Sequence, residues 1–213
     1  MLRRLDLDRW GRREHFLYFK QYEQPFFNVC TEVDVSGVVQ FAANERRSFF
    51  LGVLYLSLRA AYEVEEFRYR IRGDEVVVHP TVAGGTTVLR PDDTFGFGYF
   101  EYDTDFARFE EKGQEVLEAA RRSTTLDDQP ERDDIIYYSV LPWFSFSSFA
   151  HARRCPATES NPRIVFGKRS SRLGGAWSMP ISVEVHHALV DGLHVARFLE
   201  RYQELLRNPT AVV

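Results

Sequence analysis

Val183 to His194 reads VEVHHALVDGLH, and the point at which its alternation stops decides the fold. Val183 and Val185 alternate with Glu184 and His186, which is the period of a strand. After Asp191 the run GLHVARFLERYQELLRN carries apolar residues at helical spacing. A strand therefore hands over to a helix, with Asp191 as the expected N-cap. Period two sets Ile181, Val183, Val185 and His187 on one face, and Ser182, Glu184 and His186 on the other. His187 continues the apolar face as a candidate general base, a packed core histidine being the other reading. His186 reads as a structural or wet-face partner. The same geometry argues against a metal held by His186, His187, Asp191 and His194, because adjacent strand residues point in opposite directions.

Working outward, RIVFGKR and AWSMPISVEV read as strands joined around Leu173-Gly174-Gly175. DIIYYSVLPWFSFSSFA reads as a further strand, which would place Phe144, Phe146 and Ser148 on one face. DFARFEEKGQEVLEAARRS is an amphipathic helix with an interior Gly113. TTVLR and FGFGYFEY are strands, and FRYRIRG with EVVVHP forms a hairpin around Gly73-Asp74. VSGVVQFAAN and SFFLGVLYLSLRAAYEV are helices starting at Ser36 and Ser48, with Asn44 as the stop of the first. NVCTEVDVS is a strand. Strands and helices without strict βαβ alternation give an α/β (α+β) fold, a two-layer sandwich in which helices cover a mixed sheet. No repeat or Gly/Ser linker divides the chain, so one domain over residues 1–213 is expected.

Composition narrows the function. With 44% hydrophobic and 15% aromatic residues the chain is globular, and 31 acidic against 27 basic side chains give it no global attraction for nucleic acid or anionic membrane. The opening MLRRLDLDRW lacks an apolar signal core, and no run approaches the roughly 20 apolar residues that span a bilayer. A cytoplasmic protein is expected, with Cys30 and Cys155 as reduced packing residues.

Two other stretches carry chemistry. LPWFSFSSF brings hydroxyls beside aromatic walls without a G-x-S-x-G elbow, so a serine that donates to developing negative charge fits better than a serine nucleophile. GKRSSR, Gly167 to Arg172, is a basic cluster in an acidic chain, able to meet phosphates or simply to form a solvated turn, with Arg153 and Arg154 as the other local pair.

HHALVDG fits an H-H-x-x-x-D-G signature, and LPWFSFSSF fits an aromatic segment with a serine near its end. With WGRREHF, EFRYRI, TFGFGYFEYDTDFARF and DGLHVARF in the same order, the sequence resembles the trimeric chloramphenicol acetyltransferases over nearly its whole length. The resemblance implies a CoA-dependent acyltransferase fold assembled as a homotrimer, with active sites between subunits. It also implies direct acetyl transfer from acetyl-CoA to a hydroxyl of chloramphenicol, as in antibiotic resistance, with no metal, nucleic acid or membrane involved. His187 would be the general base, Ser148 the oxyanion donor, and Asp191 with Arg12 the ion pair that fixes the loop of the base. Phe19, Phe27, Phe95 and Phe97 would bind the acceptor, and Ser148, Val165, Lys168 and Arg169 the donor. Four positions depart from the family pattern. Phe19 stands for a tyrosine that hydrogen-bonds the antibiotic, Val165 for a threonine, Arg169 for a tyrosine, and Ser48 for a lysine near the CoA phosphates. A related acyltransferase with another hydroxylated acceptor is the alternative these departures leave open, and a trimer that binds a drug without chemistry is the other.

Overall fold

The computed structural model describes residues 1–153, 159–172 and 174–211. The chain opens with β1 (Arg3–Arg4), α1 (Arg13–Phe19) and β2 (Phe26–Asp34). Helices α2 (Ser36–Asn44) and α3 (Phe49–Glu63) follow, then β3 (Tyr69–Arg72), β4 (Glu75–Val78), β5 (Ala83–Leu89) and β6 (Phe95–Phe100). Helix α4 (Phe106–Arg122) leads to β7 (Ile135–Val140), β8 (Arg163–Phe166), β9 (Ser170–Ser171) and β10 (Trp177–His186), and α5 (Gly192–Arg207) comes last.

The large sheet has the order β2-β10-β8-β7-β5-β6, with β9 paired to β10, and a small sheet has the order β1-β4-β3. The β5–β7 and β7–β8 pairs are parallel and the other pairs of the large sheet antiparallel. Helices α3, α4 and α5 cover one face. There Ile164, Phe166, Ile181, Val183 and Val185 join the helix residues Leu51, Leu54, Leu58, Phe109, Phe198 and Tyr202 in the core. Side chains alternate along a strand, so Val165, Ser182 and Glu184 turn to the opposite face. The expected mixed sheet covered by helices is the one observed.

Local chemistry explains the boundaries. Ser48 Oγ accepts from the Leu51 amide at 3.3 Å and caps α3, and Asp105 caps α4 by accepting from the Arg108 amide. The Gly73-Asp74 hairpin is present, with Gly73 at φ 61, a left-handed value that glycine adopts at little cost. α2 starts at Ser36 and ends at Asn44 as expected, with Val35 at the N-cap position. Ser36 is the first helical residue, its amide is taken by Asp34 Oδ1, and its own hydroxyl accepts from the Trp177 amide. The expected strand through LPWFSFSSF is also corrected. β7 ends at Val140, and Leu141 to Phe149 run irregularly. Pro142 has no amide proton to continue a ladder. The segment instead clasps the β8 end, Leu141 donating to the Phe166 carbonyl at 2.8 Å and the Lys168 amide to the Phe144 carbonyl at 3.0 Å. Of the other sequence features, Arg154, Cys155 and Leu173 lie outside the described residues, and Cys30 is a free thiol.

Arg70 ties the two sheets together. Its guanidinium is fully buried and donates to the carbonyls of Asp133, Phe67, Tyr69 and Ile135. Burial pushes its pKa down to about 10, so the four carbonyls solvate a cation at neutral pH.

Candidate active site

The turn after β10 is held by its own backbone. The carbonyl of His186 accepts from the amides of Leu189 and Val190, both at 3.0 Å, and its Nδ1 accepts from the Ala188 amide at 3.2 Å. His186 is 4% exposed and meets Phe26 edge-on, so of its two expected roles the structural one is observed and the wet-face one is corrected. Burial, aided by the charges of Arg153 and His187, pushes its pKa down to about 4.

His187 leaves the strand with its amide bonded to the Pro25 carbonyl at 2.7 Å. Its imidazole lies flat on Phe19, with centroids 3.9 Å apart and planes at 13°, and leans on Phe27 at 4.7 Å and 52°. Its Nδ1 is buried without a hydrogen-bond partner. Phe27 pairs across the ladder with Val185 and so shares the helix-covered face with the base. Phe19, Phe27 and His187 thus form one aromatic cluster.

The next residues brace this turn from behind. Arg12 Nη1 pairs with Asp191 Oδ2, and Nη2 reaches the His187 carbonyl at 3.5 Å. Asp191 is the N-cap of α5, as the sequence indicated: its Oδ1 accepts from the Leu193 amide at 3.0 Å, while its amide donates to His194 Nδ1 at 3.1 Å. Burial works against the Asp191 carboxylate, but Arg12 and His194 hold its pKa below the ordinary value. His194 turns its Nε2 to Glu66 at 3.4 Å, so it is a capping partner bound from both sides. Among the described residues no group of three His, Cys, Asp or Glu side chains gathers as a metal site.

The remaining candidates lie apart from this cluster. Ser148 is exposed on the irregular segment, and Val165 is fully buried outside the main core, at the Ser182 register position. Lys168 and Arg169 are exposed just beyond β8. The Arg169 guanidinium lies 4.4 Å from the Phe49 ring centroid and 5.3 Å from that of Trp177. Trp177 and His186 are the first and last residues of β10, so its ten residues separate Arg169 from His187 by about 30 Å. Phe95 and Phe97 touch each other at 5.7 Å on β6, the far edge strand of the sheet from β2. One chain therefore does not bring them to Phe19 and Phe27.

A polar cluster that the sequence reading missed occupies the open sheet face. Glu184, 6% exposed, accepts from Arg153 Nε at 2.5 Å, faces His151 Nδ1 at 3.2 Å and lies 3.5 Å from Asn28 Nδ2. Burial opposes its charge, yet His151 and Arg153 bring its pKa down to about 2. Two open clefts share His151 and Arg153. The one of about 530 Å³ runs along Gln24, Phe27 and Phe149, and the one of about 570 Å³ along Phe97, Tyr137 and Arg163. His187 and Ser148 line neither, and the base borders the smaller cleft only through Phe27. An acid inside a buried strand run, as in SVEV, is the signal that could have drawn attention to Glu184.

This helix-backed mixed sheet is a fold that solved acetyltransferases share. A solved chloramphenicol acetyltransferase superposes with a TM-score of 0.86 at 29% identity, covering 97% of this chain and all of that one. The cubic core of the pyruvate dehydrogenase multienzyme complex shares the fold, with a TM-score of 0.73 at 18% identity over 92% of this chain and 87% of that one. The chain belongs to the chloramphenicol acetyltransferase family, whose model matches residues 1–203. Chloramphenicol acetyltransferase 3 of Escherichia coli is 30% identical over 209 residues, 96% of this chain and 97% of that protein. The chloramphenicol acetyltransferase of Streptomyces acrimycini is 30% identical over 214 residues, 96% of this chain and 94% of that protein.

Proposed function

We infer that this chain, as one domain over residues 1–213, moves the acetyl group of acetyl-CoA to a hydroxyl of chloramphenicol. The observation that carries the reading is the clamped His187, its ring fixed by Phe19 and Phe27 and its backbone by Pro25 and Arg12. With Nδ1 buried, His187 Nε2 takes the acceptor hydroxyl proton as the acceptor oxygen attacks the thioester carbonyl. Ser148 donates its hydroxyl hydrogen bond to the oxyanion that develops there. His187 then returns the proton to the departing sulfur, and no acyl-enzyme forms. A positioned base contributes roughly 100- to 10,000-fold to such a rate.

The site belongs to a homotrimer and lies between copies in this reading. Its support is the length of β10, which on one chain sets the Arg169 end about 30 Å from the base. Light scattering checks the assembly. The reading includes a cytoplasmic location, which the free thiol of Cys30 supports.

Release of CoA thiol from acetyl-CoA, measured with and without chloramphenicol in wild type and in His187→Ala, tests the reaction. Chloramphenicol-dependent release abolished by the substitution is the expected result; release that survives it refutes the base. Phe19, which has no hydroxyl to offer the acceptor, favours a second reading with a different hydroxylated acceptor. Release promoted by other hydroxylated aromatics but not by chloramphenicol would select it.

A further inference from the structure

His151 is a second histidine with a built support. Its Nδ1 faces Glu184 Oε2 at 3.2 Å, and its ring meets Phe149 edge-on, with centroids 4.8 Å apart and planes at 70°. Glu184 is held in turn, its Oε1 accepting from Arg153 Nε at 2.5 Å and its Oε2 lying 3.5 Å from Asn28 Nδ2. Arg153 is itself fixed, with its guanidinium 3.1 Å from the Phe26 ring centroid. A carboxylate on one ring nitrogen sets the tilt of an imidazole and leaves the other nitrogen for a ligand. Among the described residues nothing bonds His151 Nε2, and the residue lines both clefts of the open sheet face.

The clefts indicate the ligand. At about 530 and 570 Å³, each has room for one small molecule. Their charges cancel locally, Arg153 pairing with Glu184, and Arg163 with Glu159 at 2.5 Å. A neutral ligand therefore fits better than an ion. Phe27 and Phe149 give the smaller cleft flat walls, and Thr86, Tyr137 and Ser139 bring hydroxyls to the larger. His187 lines neither cleft, so a molecule lying there meets the base of a neighbouring copy, as in the interfacial site above. A hydroxyl suits His151 in either state of its ring, donating to Nε2 or accepting from it. We propose that His151, set by Glu184, binds a hydroxyl of the acceptor other than the one acetylated, and so selects diols over single alcohols. The proposal rests on the acetyl-transfer reading above.

The test measures CoA release with chloramphenicol, which has a primary and a secondary hydroxyl, and with its analogue lacking the secondary one, in wild type, His151→Leu and His151→Gln. A hydrogen bond of ordinary net strength makes wild type prefer chloramphenicol by about 3- to 10-fold in kcat/KM. His151→Leu erases that preference and leaves kcat/KM for the analogue within about twofold. His151→Gln, which keeps a polar atom, retains part of the preference. A wild type with no preference, a preference that survives in His151→Leu, or an equal loss on both acceptors overturns the proposal, the last being what a purely structural histidine produces. If wild type turns over neither compound, the chloramphenicol reading fails separately. Calorimetry with the same pair then decides the subsite: tighter binding of chloramphenicol by wild type, lost in His151→Leu, supports it. Equal binding of the two, an unchanged difference in the variant, or no binding by wild type overturns it.

Discussion

The ring of Phe19 lies on the imidazole of His187 at 3.9 Å and nearly parallel, so the residue that lacks a hydroxyl fixes the plane of the base. An aromatic pair of this kind contributes about 0.5–1.5 kcal/mol beyond its buried area. Phe19→Ala is therefore expected to lower kcat about 2- to 10-fold, and Phe19→Tyr, which keeps the stack, to leave kcat nearly intact. Steady-state kinetics on both variants checks this. An unaffected kcat in Phe19→Ala would mean that the backbone alone positions the imidazole.

Arg12 and Asp191 act on the base through the turn. Asp191→Asn still offers an oxygen to the Leu193 amide but loses the charge facing Arg12, so the expected stability loss is about 1–2 kcal/mol. The kcat loss should be larger, about tenfold or more, because the His187 carbonyl loses its brace. Adding Arg12→Gln should cost much less than the sum of the single changes, since the two residues share one interaction. Thermal unfolding together with kinetics on the three variants measures both quantities.

His186 makes stability depend on pH. Its folded pKa, about 4, lies below the ordinary histidine value of 6.5, so the unfolded chain binds the extra proton first as pH falls. Stability from this group is complete above about pH 6.5 and declines between 6.5 and 4, by up to about 3 kcal/mol. Glu184, with its pKa near 2, adds a separate loss only below its ordinary value of 4.5. Urea midpoints taken across pH 7 to 4 should fall in wild type and flatten in His186→Gln. Parallel slopes in the two proteins would remove His186 as the cause.

Arg70 gives the largest expected loss of stability. Arg70→Leu removes the guanidinium from four carbonyls, of which those of Asp133 and Ile135 keep Asn161 as a donor, and about 3 kcal/mol should disappear from the unfolding free energy. Chemical denaturation measures it, and a loss below about 1 kcal/mol would show that water replaces the guanidinium.

The sequence made some of this legible and hid the rest for physical reasons. Asp191, the hairpin at Gly73 and the amphipathic α4 and α5 are set by neighbours in the chain, so spacing alone revealed them. Leu141 to Phe149 misled because an aromatic run directly after the β-branched β7 imitates its continuation, while Pro142 and the pull of Phe166 and Lys168 redirect it. Glu184, His151 and Arg153 meet across 33 and 31 residues, and no local period encodes that meeting. Phe19 was assigned to the acceptor from resemblance, but its contact with His187 depends on where α1 sits against the turn.

The length of β10, which keeps the Arg169 end of one chain away from its own base, has a genetic consequence when a site draws on two copies of the chain, Ser148 from one and His187 from the other. Subunits crippled at His187 and subunits crippled at Ser148, each inert alone, should regain activity when co-expressed. Random mixing of equal amounts gives about one intact site in four, because each site needs an unaltered serine from one subunit and an unaltered histidine from its neighbour. Two defective alleles in one cell would then restore what neither supplies by itself.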